Sequence, residues 1–238
     1  MSESFSVEWL GEMSYADALA LQHRVVADRL AGRTTDRLLR LEHPRVITLG
    51  RSTDRANLRM GEAQLRELGI ELFEVGRGGD ITFHAPGQLV GYPIIDLDAL
   101  GRRDVHLHLR SLEAALIDAL EELGVPAKRM PGWTGVFVDR SRSASPAGPE
   151  RKIASIGVGI RRWVTFHGFA LNVTIDLLGF DSIVPCGLTG VEMTSVAVEQ
   201  AREEGVPHLL PAWHAALGAH VREVVARSMR THLGHRSV

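Results

Sequence analysis

The sequence contains a single cysteine, no long apolar run and almost no excess of either charge. One cysteine among 238 residues excludes an internal disulfide and a cysteine-based metal cage, and it fits a reducing compartment. No apolar stretch approaches the roughly 20 residues that span a bilayer, and the polar, acidic N-terminal segment lacks the basic and apolar regions of a signal peptide. A formal net charge of −2 gives no general attraction to nucleic acid. We therefore expect a cytoplasmic enzyme or binding domain that acts without nucleic acid, membrane or metal.

The composition that is present is that of a globular domain. Hydrophobic residues make up 45% of the chain and charged residues 24%, which is enough apolar material for a sizeable core. The stretch DRSRSASPAGPE (139–150) is rich in Ser, Pro and Ala, but strand-like runs flank it closely on both sides. It is therefore predicted to be a flexible hairpin tip rather than a linker, and we expect residues 1–238 to form a single domain.

Apolar periodicity predicts strands interspersed with helices. Helices are predicted at 14–31, where Ser14 and Asp17 form a capping-box pattern, and at 60–68, 106–123 and about 211–232. Strands are predicted at 37–50 with a break at Pro44, and at 70–75, 88–97, 132–138, 152–160 and 166–175. This order indicates an α/β fold of the α+β type, with a mixed central β-sheet flanked by helices.

The segment EVGRGGDITFHAPGQLVGYP (74–93) is the first that could carry chemistry. Glycines at 76, 78 and 79 interrupt a passage from strand to strand, where they would let the backbone approach a ligand. Arg77 adds a fixed cation and His84 a titratable group. The segment matches neither a dinucleotide fingerprint nor a phosphate-binding P-loop, and a simple glycine-rich turn explains it equally well.

Two strand-like segments carry polar residues with two possible roles each. In RKIASIGVGI (151–160), Lys152 is either a solvated strand end, the commoner outcome, or an ammonium held against a site. In FHGFALNV (166–173), His167 is more often a packed, hydrogen-bonded residue than a catalyst, and Asn172 could serve the backbone or a ligand.

The lone cysteine lies in SIVPCGL (182–188), between a proline and a glycine. A free cysteine is usually a small buried hydrophobe. Cys186 instead follows an apolar run in a predicted loop, where the amides of Gly187 and Leu188 could be exposed to a ligand. A thiol ionises at a pKa of about 8.5, and a nearby cation lowers that value, so Cys186 is a candidate nucleophile.

Arginines are numerous, among them Arg51, Arg59, Arg161 and Arg162. Most are expected to be solvated. Some could form a local basic surface for an acidic partner despite the net charge of −2.

Three blocks taken in order resemble the lipoyl(octanoyl) transferases of lipoate biosynthesis. They are RGGDITFHAPGQLVGYPIIDL (77–97), KIASIGVGIRRWVTFHGFALNV (152–173) and IVPCGL (183–188), with the cysteine 34 residues after the lysine. The resemblance covers most of the chain. One departure is Ala85, where the family usually has glycine. The family fold is the α/β catalytic domain shared with biotin and lipoate protein ligases.

The resemblance implies a two-step acyl transfer with Cys186 as nucleophile and Lys152 as its partner. Octanoate, or lipoate, would arrive as a thioester on the phosphopantetheine of acyl carrier protein and move to Cys186. It would then pass to a lysine ε-amine on lipoyl domains of 2-oxoacid dehydrogenase complexes and on the glycine cleavage H protein. No ATP and no cofactor of the enzyme's own would be required. Backbone amides near Cys186 would stabilise the oxyanion.

The resemblance also implies where the acyl chain binds. The small residues among the implied positions would leave room for eight carbons, while His84 and His167 would shape the pocket rather than act as bases, and His167 and Asn172 would support the site. The implied substrate-binding residues are Arg77, Gly78, Gly79, Asp80, Ile81, Thr82, Phe83, His84, Ser155, Ile156, Gly157, Gly168, Phe169 and Ala170.

Three other functions remain open at this point. An ATP-dependent lipoate or biotin ligase of the same fold would form an acyl-adenylate and need no cysteine, so the PCG stretch favours the transferase. A non-catalytic binding protein would hold acyl groups or lipoyl domains without turnover. A thiol hydrolase would release free octanoate instead of modifying a lysine.

Overall fold

A computed structural model of the protein describes residues 5–142, 147–188, 190–204 and 211–234. In these ranges the helices are α1 (Tyr15–Leu30), α2 (Glu62–Glu67), α3 (Val105–Glu122), α4 (Val196–Glu204) and α5 (Pro211–Leu233). The strands are β1 (Ser6–Glu12), β2 (Arg37–Glu42), β3 (Val46–Leu49), β4 (Glu71–Glu74), β5 (Ile81–His84), β6 (Gln88–Ile94), β7 (Ala127–Lys128), β8 (Val136–Val138), β9 (Glu150–Arg161), β10 (Val164–Asn172) and β11 (Val191–Met193).

The strands form two sheets. The larger sheet has the order β1-β2-β6-β10-β9-β8-β7, with β11 pairing with β9, and the smaller has the order β4-β3-β5. The β1–β2, β9–β11 and β3–β4 pairs are parallel and the other pairs are antiparallel. The predicted α/β class with a mixed central sheet is confirmed.

Helices cover both faces of the larger sheet. One core cluster joins α3 and α5 to the sheet through residues such as Leu116, Val224 and Ile153. A second packs α1 against β2, β6 and β10, and a third lies beneath the smaller sheet, where Phe83 meets Phe180. None of the helices in the described ranges has the length and apolar character that a bilayer crossing requires.

The β9–β10 hairpin at the centre of the sheet sets the geometry of the cavity described below. Ser155 lies opposite Ala170, and Gly157 lies opposite Gly168. Directly opposed residues share a face of the sheet, and so do residues two apart on one strand. The four small residues therefore form one patch on one face.

Most predicted elements are confirmed, with two differences. The strand predicted at 132–138 begins only at Val136, because Gly132 and Gly135 have positive φ angles of 79° and 127° and turn the chain. The strands β1, β5, β7 and β11 and the helix α4 were not predicted from the sequence. The predicted hairpin tip does join antiparallel strands, β8 and β9, but its residues 143–146 lie outside the described residues.

The capping box predicted at the start of α1 gives a stability test. Ser14 Oγ accepts the Asp17 amide at 3.1 Å and donates to the Asp17 carboxylate at 2.7 Å. We expect Ser14→Ala to lower the free energy of unfolding by about 1 kcal/mol in urea titrations, because a helix N-terminal amide loses its acceptor. Ser111→Ala, within α3, is the control and should leave stability unchanged or slightly raised; equal losses in both variants would contradict the capping role.

Candidate active site

Cys186 and Lys152 are in direct contact. Lys152 Nζ lies 3.1 Å from Cys186 Sγ and 3.2 Å from the Thr134 carbonyl oxygen, and it also faces the Phe137 ring at 5.6 Å. Lys152 is only 1% exposed, whereas Cys186 is half-buried. The alternative in which Lys152 is a solvated strand end is wrong: the ammonium is buried with a thiol as its neighbour.

Strand pairing on both sides holds the Lys152 backbone. Lys152 is paired with Phe137 of β8 and with Met193 of β11, and its carbonyl accepts the Thr194 amide at 3.0 Å. A lysine in the interior of a sheet has little freedom to turn outward, so the side chain remains directed at Cys186.

Cys186 sits in a strained turn. Residues Pro185–Gly187 form a short 3₁₀ turn in which Cys186 has φ 55° and ψ 21°, a left-handed conformation that non-glycine residues rarely adopt. Such strain persists only where the surroundings impose it, and it is concentrated at functional sites.

The amides after Cys186 do not have the role expected of them. Gly187 N–H donates to the Val184 carbonyl at 3.0 Å, and Leu188 N–H donates to the Pro185 carbonyl at 3.1 Å. Both donors are used within the turn, so the expectation that these two amides are exposed to a ligand is wrong.

A cavity of about 240 Å³ opens beside the Cys186–Lys152 pair. Its walls include the patch of Ser155, Gly157, Gly168 and Ala170 on the β9–β10 hairpin. Drug-sized ligands commonly occupy about 300 to 1,000 Å³, so this cavity suits a small ligand. Its other lining residues are Tyr15, Arg77, Gly79, Asp80, Thr82, His84, Val90, Tyr92, Gly132, Trp133, Thr134, Ile156, His167, Phe169 and Leu188.

The Arg77 side chain stabilises the conformation of the glycine-rich loop through hydrogen bonds to backbone carbonyl groups. It is buried, and its guanidinium donates to the carbonyl oxygens of Thr48 at 2.8 Å and Asp80 at 2.7 Å. Burial lowers the pKa of Arg77 below its ordinary value, while nearby Tyr15 and Cys186 act to raise it. The side chain therefore serves the loop's conformation and places a positive charge in the cavity wall.

Successive side chains of β5 point to opposite faces of the smaller sheet, so only every second one faces the cavity. Thr82 and His84 line the cavity, whereas Ile81 and Phe83 point to the opposite side, into the core beneath the smaller sheet. Gly78 does not line the cavity either, because its backbone is engaged with the Val158 carbonyl at 2.8 Å. Gly78, Ile81 and Phe83, which the resemblance implies as substrate-binding residues, therefore lie outside the lining of this cavity.

The remaining expected residues fall into two groups. Ile156 and Phe169 border the cavity while their side chains pack into the larger core cluster. Asn172 does not line the cavity. Its side chain accepts from Gln88 Nε2 at 2.9 Å and donates to the Thr194 carbonyl at 2.8 Å, and Gln88 in turn binds His84 at 2.7 Å. Asn172 is thus a structural support.

Ala85, which stands where the resembled family usually has glycine, is buried and has no positive φ angle, so the fold accommodates its methyl group.

Histidines and tyrosines form a cavity wall that is buried and neutral. Burial lowers the pKa of both His84 and His167 to about 3, and it raises the pKa of Tyr15 to about 12. Neither histidine can act as a base that cycles near neutral pH, which agrees with the interpretation that they shape the pocket. Tyr15 and Tyr92 were missed in the sequence, although they are the chain's only two tyrosines and both line the cavity.

Comparison with known proteins identifies relatives over most of the chain. The family model of the lipoyl protein ligase A/B catalytic domain matches residues 14–214. The octanoyltransferase of Solibacter usitatus (strain Ellin6076) is 49% identical over 197 residues, covering 82% of this chain and 84% of that protein. The octanoyltransferase of Syntrophotalea carbinolica is 46% identical over 215 residues, covering 86% and 93%.

Solved structures share the fold at low sequence identity. A lipoate-protein ligase A bound with ATP matches with a TM-score of 0.67 and 16% identity, covering 100% of this chain and 89% of that one. The bi-partite lipoate protein ligase of Thermoplasma acidophilum matches with a TM-score of 0.62 and 17% identity, covering 98% and 84%. These likenesses confirm the predicted lipoate-ligase fold.

The burial of His84 and His167 in their neutral form predicts that the protein loses stability in acid. Their pKa is about 3 when folded and 6.5 in the unfolded chain, so the unfolded state binds more protons as the pH falls below 6.5. Their contribution is therefore complete above pH 6.5 and is lost as the pH falls toward 3, by up to about 1.4 kcal/mol per pH unit for each group. In urea titrations, the decrease in the free energy of unfolding between pH 7 and pH 5 should be smaller for His167→Gln than for wild type.

The exposed His220 of α5 provides the control for that measurement. His220→Gln should lose as much stability between pH 7 and pH 5 as wild type does. If His167→Gln behaves in the same way as His220→Gln, His167 is not buried in its neutral form.

Proposed function

Because the chain belongs to the octanoyltransferase family of acyltransferases, we propose that it transfers octanoate from acyl carrier protein to a lipoyl-domain lysine through a thioester on Cys186. The observation that carries this proposal is the 3.1 Å contact between Cys186 Sγ and the buried Lys152 Nζ in the wall of the cavity. An ammonium at that distance stabilises a thiolate, which is the nucleophilic form of cysteine.

The first step is acyl transfer onto Cys186. The thiolate attacks the carbonyl carbon of the carrier's thioester, a new C–S bond forms, and the bond to the phosphopantetheine sulfur breaks. In this proposal Lys152 gives its proton to the departing thiolate, which leaves a neutral amine behind. One thioester replaces another, so the step is nearly isoenergetic and needs no ATP.

The second step moves the acyl group to nitrogen. The neutral ε-amine of the acceptor lysine attacks the Cys186 thioester, a C–N bond forms, and the C–S bond breaks to release the thiolate. Lys152, now neutral, takes the proton that the acceptor nitrogen loses. The pair returns to its starting state, and the greater stability of an amide over a thioester sets the direction. Cysteine suits both steps as nucleophile and as leaving group.

The cavity accounts for the acyl chain. The small side chains of Ser155, Gly157, Gly168 and Ala170 leave space along the β9–β10 hairpin for eight carbons. At Gly168 an added Cβ would lie 2.3 Å from the Gly91 carbonyl oxygen, and at Gly157 it would lie 2.8 Å from the Gly78 carbonyl oxygen. Glycine is required at both positions because β6 and the glycine-rich loop pack closely against them.

The acceptor follows from the family and from its structural neighbours. The ligase of Thermoplasma acidophilum is described together with its E2 lipoyl domain. For this chain we infer lipoyl domains of the same general kind, those of 2-oxoacid dehydrogenase complexes and of the glycine cleavage H protein. The Cys186–Lys152 pair favours direct transfer over the adenylate route of a ligase, which has no use for a nucleophilic thiol.

Replacing either member of the pair should stop transfer. Cys186→Ala, Cys186→Ser and Lys152→Ala should each lower kcat at least about 1,000-fold, because members of one catalytic unit fail together. The assay combines octanoyl carrier protein with an apo lipoyl domain in the absence of ATP and follows products by mass spectrometry.

Intact mass also reports the intermediate. Wild-type protein mixed with octanoyl carrier protein alone should gain one octanoyl group, and Cys186→Ala is the control that should gain none. Full activity of Cys186→Ala, a requirement for ATP, or release of free octanoate would each contradict the proposed mechanism.

Arginines near the site are proposed to guide the acidic carrier protein. Arg51 and Arg59 are exposed on the segment that follows β3. The backbone N–H of Arg59 donates a hydrogen bond to the Ser182 carbonyl at 2.9 Å, close to the active-site turn. We expect the Arg51→Glu, Arg59→Glu double variant to raise KM for octanoyl carrier protein and to weaken the dependence of kcat/KM on salt, because exposed charges act through screened attraction.

A charge-matched control separates steering from general charge effects. The Arg24→Glu, Arg33→Glu double variant reverses two exposed arginines outside the cavity lining and should leave KM and its salt dependence unchanged. Wild-type rates that do not change with salt, or an equal effect of the control variant, would contradict a steering surface at Arg51 and Arg59.

A further inference from the structure

Glu113 is a buried carboxylate that the proposed mechanism does not use. It lies in α3 with its side chain fully buried, in a helix whose other buried residues are mostly apolar. One of its oxygens, Oε2, pairs with Arg110 Nη1 at 2.5 Å and with Arg129 Nε at 3.0 Å. These two arginines are both partly exposed, and they compensate the charge of the buried carboxylate.

The other oxygen of Glu113 points toward the active site. Glu113 Oε1 accepts the Gly135 N–H at 3.1 Å. That N–H belongs to the same peptide group as the Thr134 carbonyl, which accepts Lys152 Nζ at 3.2 Å. A peptide group is planar and rigid, so fixing the direction of its N–H also fixes the direction of its carbonyl.

The peptide packs directly on the Lys152 side chain. Gly135 has φ 127°, and a Cβ built there would lie 2.8 Å from Lys152 Cε and 2.6 Å from the Ala154 carbonyl oxygen. Only glycine fits this position. A glycine in a turn is also free to rotate, so an external hydrogen bond is needed to hold the peptide in one orientation.

We propose that Glu113 is a positioning residue for the Lys152 ammonium, acting through the 134–135 peptide. The peptide N–H donates to the Glu113 carboxylate, and the ammonium donates to the peptide carbonyl and to the Cys186 sulfur. The carboxylate also polarises the peptide and so makes its carbonyl a stronger acceptor. Glu113 touches no reacting atom, and this role rests on the proposed function of Lys152 and Cys186.

The test uses alkylation of the protein's only cysteine, which needs no substrate. At pH 7 the rate of Cys186 alkylation by iodoacetamide should be lower in Lys152→Ala than in wild type. The alkylation rate of Glu113→Ala should fall toward that of Lys152→Ala, because the ammonium is no longer held against the thiol. Glu113→Gln keeps an acceptor oxygen for the Gly135 N–H and should retain most of the wild-type rate.

Turnover supplies a second measurement. Glu113→Ala should lower kcat by about 10- to 100-fold, the range expected for a small misplacement of a catalytic group, with little change in KM for octanoyl carrier protein. Thermal melts establish that each variant is folded at the assay temperature. If Glu113→Ala does not fold, Glu113→Met carries the test with the same expected losses, because it has a similar volume but offers the Gly135 N–H no acceptor.

Two controls separate positioning from stability. Glu121→Ala removes a carboxylate of the same helix that pairs with Arg142 at 2.6 Å, and Arg129→Gln removes one ion pair of Glu113 without touching its bond to Gly135. Both should alkylate and turn over like wild type. The inference is overturned if Glu113→Ala alkylates at the wild-type rate, or if Arg129→Gln is as impaired as Glu113→Ala. Equal alkylation of Lys152→Ala and wild type would instead contradict the proposed role of Lys152 itself.

Discussion

A buried ammonium beside a thiol is the interaction on which the site depends. Burying a charge is costly unless it is paired and hydrogen-bonded, and Lys152 is 1% exposed. Its hydrogen bonds in the described part of the chain go to the Thr134 carbonyl and to Cys186 Sγ. The geometry of the site therefore depends on the contacts of this buried side chain with Cys186 and with the Thr134 carbonyl.

The two sheets meet at the turn that carries Cys186. The Val184 amide donates to the Asn57 carbonyl at 2.7 Å, which ties the turn to the segment after the smaller sheet's β3. Asn57 also binds the Asp80 carboxylate at 2.6 Å, and a Cβ at Gly187 would lie 2.8 Å from that carboxylate. The glycine-rich loop and the cysteine turn therefore hold each other in place, and together they sustain the left-handed conformation of Cys186.

Support of the site extends well beyond the residues that face the cavity. Asn172 and Gln88 connect the His84 ring to the Thr194 carbonyl, and the Thr194 amide bonds the Lys152 carbonyl. Glu113 reaches the same lysine from α3. Hydrogen-bonded networks of this kind restrict several side chains at once, which explains why polar residues are buried in the interior of this fold.

Local patterns in the sequence determined the class of fold and most helices and strands, because periodicity and capping residues are encoded in neighbouring positions. The resemblance implied Lys152 as the partner of Cys186 and the small residues of the β9–β10 hairpin as room for an acyl chain, but the contact between the two side chains was decided by the tertiary structure. Only the tertiary structure decided that Gly78, Ile81 and Phe83 lie outside the cavity lining. It also decided that the amides of Gly187 and Leu188 donate hydrogen bonds within the turn. The positions of Glu113, Tyr15 and Tyr92 near the site were likewise visible only in the folded chain. Strand register and long-range packing decide which side chains meet, and neither is written in the spacing of residues along one segment.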